Sequence, residues 1–180
     1  VVMYLLQDRL GEERVNAMLA ELLDRFKFES QPYASSTDLV NGFKALARDE
    51  AEARLVEDLL ENITLYDFTA SDATVAELEN GQFETTFTVT AAKLYADGEG
   101  EETEADFENL VDIGAFTKRP GYEVLEPADV ISFRLEPLVS GEQVVTVTTD
   151  EKPAFVGVDP YSKFVDRQGD DNITAVEEAD

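Results

Sequence analysis

The chain has 180 residues, 14 of them basic and 40 acidic, for a net charge of −26, and it contains neither histidine nor cysteine. That charge disfavours nucleic acid and anionic membrane surfaces, both of which are bound through clustered Lys and Arg. The missing residue types exclude disulfides, thiolate metal sites, a serine–histidine triad and an HExxH zinc site within these residues, while a hydrophobic fraction of 43% still allows a real core.

No apolar run reaches the ~18 residues needed to cross a bilayer. The chain opens "VVMYLLQDRL", already inside an apolar run and without an initiator Met, so we expect a fragment of a longer protein. Val2, Leu5, Leu6 and Leu10 fall at helical spacing, and Gly11 breaks the run. Glu12 and Glu13 open a second helix, where the helix dipole favours acids, with an apolar stripe of Val15, Met18, Leu19, Leu22, Leu23 and Phe26. After Pro32, one of Ser35, Ser36 and Thr37 caps a third helix carrying Leu39, Val40, Phe43 and Leu46. A fourth turns Leu55, Val56, Leu59, Leu60 and Ile63 inward.

From Ile63 the period changes from 3.6 to 2. "ITLYDFTA", "GQFETTFTVTAAKLYADG", "ETEADF", "LVDIGAFT", "DVISFRLEPL" and "EQVVTVTTD" read as strands separated by Gly, Pro, Asn and Asp. "ADGEGEE" and "SGEQ" read as hairpin connections. The expected fold is α+β: a helical subdomain over residues 1–62, an antiparallel Ig-like β-sandwich over 63–172, and a frayed tail over 173–180.

The segment "DEKPAFVGVDPYSKFVDRQGDDN" reads as a clasp that closes the sandwich. Phe155, Val156 and Val158 form a last strand, and Gly157 permits a bend or close packing. Asp159 and Pro160 turn the chain, and Tyr161 and Phe164 sit one helical turn apart. Pro153, Gly157, Asp159, Pro160, Tyr161, Asp166 and Arg167 are the residues expected to make this clasp, with Tyr161 largely buried.

Acid-rich loops raise a calcium question, because hard cations take oxygen ligands. Asp97, Glu99 and Glu101 alternate, but Glu102 stands where an EF-hand loop starting at Asp97 needs Gly, although Glu108 fits its twelfth position. Asp166, Asp170, Asp171 and Asn172 form a second cluster. Among forty acids, solvated turns are the commoner explanation of both, and no catalytic or cofactor-binding residue is assigned.

The stretch "LGEERVNAMLAELLDRFKF…PYASSTDLVNGFKAL" resembles the end of the helical region of aminopeptidase N-like (gluzincin) zinc metallopeptidases, on Leu10, Gly11, Glu12, Ser36, Asp38 and Leu39. "EDLLENITLYD" and the closing segment are similar to the ends of bacterial proteins that fuse such a domain to an ABC-type permease. The closing match runs through Asp150 to Pro153, Gly157, Asp159 to Tyr161, Lys163, Asp166, Arg167 and Asp170 to Asn172. The resemblance implies a non-catalytic C-terminal part of a membrane-tethered parent, in a soluble and, by analogy, extracytoplasmic compartment. Its role would be structural, docking or substrate-facing. The partners would be the peptidase-like domain and permease of the same chain, and zinc would belong to the parent alone.

The alternative is a stand-alone Ig-like module for protein or carbohydrate, which needs an exposed aromatic patch from Tyr66, Tyr122 or Tyr161. A calcium-dependent form of it would use Asp97 to Glu104, and a carboxylate enzyme is the third reading.

Overall fold

The computed structural model describes residues 1–28 and 30–179. The chain divides into two compact units, Val1–Thr64 and Leu65–Asp180.

The first unit contains α1 (Val2–Leu10), α2 (Glu12–Phe26), α3 (Ser36–Leu46) and α4 (Glu50–Leu60). Gly11 separates α1 from α2 at φ 96°, a conformation that costs any residue with a Cβ. Ser35 caps α3 through a reciprocal box: its Oγ accepts the Asp38 N–H at 3.3 Å, and the Asp38 carboxylate accepts the Ser35 N–H at 2.9 Å. Asp49 caps α4 by accepting the Glu52 N–H at 2.9 Å. Leu6, Leu10, Val15, Phe43 and Val56 form the core of this unit. The α2 stripe is less covered than its periodicity predicts, since Val15 is the buried residue of that helix and Leu23 is exposed. No helix among the described residues is long and apolar enough to cross a membrane.

The second unit is built on two sheets, mostly antiparallel. Its strands are β1 (Ile63–Glu77, which begins at the unit boundary), β2 (Phe83–Ala96), β3 (Glu102–Ala105), β4 (Glu108–Phe116), β5 (Val130–Val139), β6 (Gly141–Thr149), β7 (Phe155–Val158), β8 (Ile173–Ala175) and β9 (Glu177–Glu178). One sheet has the order β3-β2-β1-β9, with β6 also paired to β2, and the other has the order β5-β4-β7-β8. Tyr66 and Phe68 of β1, Phe107 and Phe164 form a buried aromatic cluster with ring centroids 4.9–6.3 Å apart.

Three expectations are corrected here. Residues 173–179 are not frayed: β8 extends β7 antiparallel, and β9 pairs with β1 in parallel. Ile173 lies on Gly157, where an added Cβ would sit 2.6 Å from the Asn172 carbonyl oxygen, so close packing fixes the end of the chain. "SGEQ" does not close a hairpin. Gly141, at φ 98°, turns the chain out of the four-stranded sheet, and β6 pairs with β2 from Ala91↔Gly141 to Phe83↔Thr149. Finally, Tyr161 and Phe164 are not on a helical turn. Ser162 is left-handed at φ 50°, which sends Phe164 into the aromatic cluster and leaves Tyr161 46% exposed.

Candidate functional site

Antiparallel pairing places opposed residues on the same face of a sheet. In the β4–β5 ladder, Leu110 opposes Pro137, Asp112 opposes Leu135 and Gly114 opposes Phe133. Val111, Ile113 and Ala115 belong to the opposite face and are buried. β5 is an edge strand of its sheet, which explains how it tolerates Pro137.

The face bearing Asp112 is apolar and open. Leu110, Phe133, Leu135, Val139 and Tyr161 are each 40–49% exposed there. The Phe133 and Tyr161 rings are 5.2 Å apart, and Tyr161 meets the buried Phe116 ring edge-on at 6.5 Å. Phe116 folds back over Gly114, where any Cβ would run into its ring. The glycine therefore flattens the centre of the face.

Beneath this platform lies a buried ionic arrangement. Lys163 Nζ pairs with Asp112 Oδ2 at 2.8 Å and sits 5.7 Å from the centre of the Phe133 ring. Asp159, left-handed at φ 42°, donates its N–H to the Asp112 carbonyl at 2.8 Å. Its carboxylate accepts the Lys163 and Phe164 N–H groups, each at 2.9 Å. Burial pushes the Asp159 carboxyl up to about 7 despite those two hydrogen bonds, and the neighbouring Asp112 and Asp166 charges push the same way. Asp159 is 1% exposed, and the arrangement holds the closing segment onto β4.

The other clasp residues also serve the backbone. Pro153 and Pro160 are buried. Asp166 accepts the Phe68 N–H at 3.2 Å, and the Arg167 N–H reaches the Tyr66 carbonyl at 3.2 Å. Sequence reasoning placed Lys163 in the closing segment without a partner and did not single out Phe133. The one available signal was a lysine inside an otherwise aromatic segment, because the Asp112 partner is far away in the chain.

The acidic candidates do not converge. Asp97 accepts the Glu99 and Glu101 N–H groups at 2.8 and 2.9 Å, which closes the β2–β3 turn and holds its carboxyl below the usual range. Asp170 is exposed and gives its carbonyl to Arg119, while burial above all raises the Asp171 carboxyl. Among the described residues no group of three or more acidic side chains is placed to hold a metal ion. Of the three tyrosines considered for an aromatic patch, Tyr66 is fully buried, while Tyr122 and Tyr161 are exposed.

No family model matches the chain, and no curated protein matches it. Among solved structures, the β-glucosidase DesR from Streptomyces venezuelae, crystallised with D-glucose, matches with a TM-score of 0.28 at 20% identity. The match spans 61% of this chain and 12% of that one, and a likeness so slight informs neither fold nor activity.

Proposed function

We propose that this chain is a non-catalytic interaction module whose two sheets form an Ig-like sandwich and whose β4–β5 face docks on a protein partner. The observation carrying the proposal is the contiguous stripe Leu110, Phe133, Leu135, Val139 and Tyr161, half-exposed on one sheet face of a chain with a net charge of −26. Contiguous apolar patches of this kind mark interaction sites, and aromatic side chains are enriched at the cores of interfaces. A buried ionic arrangement under the stripe, Lys163 with Asp112 and Asp159 on the backbone of the closing segment, supports the platform, so little ordering cost remains on docking.

The partner we propose is the remainder of a larger, membrane-tethered parent, its metallopeptidase-like domain or its permease. The support is the resemblance of the closing segment from Asp150 to Asn172 and of the helical stretch from Leu10 to Leu39 to that group. Zinc chemistry, where the parent has it, would lie outside these residues.

The test is association in trans between this chain and the parent's remainder, expressed as a separate soluble or detergent-solubilised piece. Phe133→Asp and Leu135→Asp should each weaken the association at least ~30-fold, the scale of a central interface residue worth about 2 kcal/mol. Unchanged association in both variants would contradict the assignment of this face. Binding to an unrelated protein, with none to the parent's remainder, would favour the stand-alone module.

A further inference from the structure

A second feature of the same unit has a different chemistry. The loop between β4 and β5 and the closing segment line an open cavity of about 390 Å³, a size that suits a small ligand. Arg119, Tyr122, Ser162, Arg167, Gln168 and Asp170 supply its polar walls, and the buried Pro120, Pro160 and Ile173 supply apolar surface.

The cavity is preorganised. Asp129 accepts the Glu126 N–H at 2.8 Å, Thr117 Oγ1 at 2.7 Å and Lys118 Nζ at 3.0 Å, which pins both ends of the loop. Those hydrogen bonds, led by the one from the Glu126 backbone, hold the Asp129 carboxyl down at about 2. Between them, the Arg119 N–H reaches Glu123 Oε2 at 3.0 Å, and the Glu123 N–H reaches the Arg119 carbonyl at 3.2 Å.

The Arg119 guanidinium is fixed by the Asp170 carbonyl at 2.8 Å and by the Tyr122 ring, whose centre lies 4.8 Å away. Among the described residues it has no carboxylate in ion-pair contact, in a chain where 40 acids face 14 bases. Arg167 on the same cavity pairs with Glu102, and both side chains are about one-third exposed. Pairs of that kind contribute little net stability, so a ligand carboxylate can take the place of Glu102.

We propose that this cavity binds a carboxylate-bearing ligand of monosaccharide size. Arg119 would act as the fixed recognition cation, with Arg167 joining it as Glu102 is displaced. The exposed Tyr122 offers a face for an apolar ring surface, while Ser162, Gln168 and the Asp170 carboxylate match hydroxyl groups. At ~0.15 M ionic strength the screening length is about 8 Å, so the acids of the chain far from the cavity act only weakly on a bound carboxylate.

The test is an NMR titration of the isotope-labelled 180-residue chain with sodium D-galacturonate, with D-galactose and with acetate, at ~0.15 M salt. Galacturonate should shift the Tyr122, Ser162, Gly169 and Asp170 amides saturably, and acetate should compete with it. Galactose should bind at least about tenfold more weakly, the loss expected when charge-assisted hydrogen bonds are absent. Arg119→Gln should abolish the shifts. Arg167→Gln, at a more exposed site whose ion pair with Glu102 contributes little to stability, should fold and should weaken binding about tenfold. Equal shifts with galactose and galacturonate, shifts that do not saturate, or full binding by the folded Arg167→Gln variant would each overturn the proposal.

Discussion

Lys163 and Asp112 form an ion pair of 2.8 Å in which both side chains are about 95% buried, tying the closing segment to the middle of β4. A buried pair adds little net stability over an apolar replacement, but breaking it strands a charge. Lys163→Met should therefore cost about 3–5 kcal/mol in urea unfolding, and the double variant Asp112→Leu/Lys163→Met should recover most of that loss. A single variant as stable as the native chain would show that the pair carries no structural charge balance.

Asp159 sets a pH dependence. Its carboxyl is raised in the folded state to about 7 from an ordinary 3.8, so the folded chain binds more protons than the unfolded chain between those values. The stability this contributes is complete below about pH 4 and is lost as pH rises through 7; by linkage it is at most about 4 kcal/mol. Asp129 acts in the opposite sense: its lowered carboxyl contributes stability above about pH 4 that is lost on acidification towards 2. With no histidine in the chain, few other groups titrate between pH 5.5 and 8. Urea midpoints should fall across that range, and Asp159→Asn should flatten the slope. A midpoint that rises with pH there would contradict the assignment.

Gly157 lies against Ile173 and the Asn172 carbonyl, so Gly157→Ala forces β8 away from β7. The expected loss is about 1–3 kcal/mol, the usual cost of overpacking, and amide exchange should quicken across residues 173–175. A neutral substitution with unchanged exchange would mean that β8 does not close the sheet.

The net charge of −26 makes the folded chain repel itself, and salt screens that repulsion within about 10 Å at ~0.1 M. The melting temperature should rise from low salt towards ~1 M sodium chloride. A temperature indifferent to salt would sink this reading.

The helices were legible because each carries a local signal: the Gly11 break, the Ser35–Asp38 box and apolar stripes at 3.6 spacing. Most strands through Val158 were legible from alternation, but β1 was read only as far as Ala70 and continues to Glu77. What the sequence hid is long-range. Ile173–Ala175 is too short to display a period, and its pairing with β7 becomes visible only with Gly157 beneath it. Gly141 announces a turn but not the sheet to which the chain turns. Tyr161 and Phe164 share helical spacing, yet the left-handed Ser162 sends them to different environments. The exposed stripe was missed because Leu110, Phe133 and Leu135 look like core residues until the register puts them together.

The docking face is the central claim, and photo-crosslinking tests it most directly. p-Benzoylphenylalanine at position 133 of the proposed larger parent protein should crosslink to another region of the same chain. The same probe replacing the exposed Thr148 on β6 should not. Efficient crosslinking from position 148 with none from 133 would show that the β4–β5 face is not where this module docks.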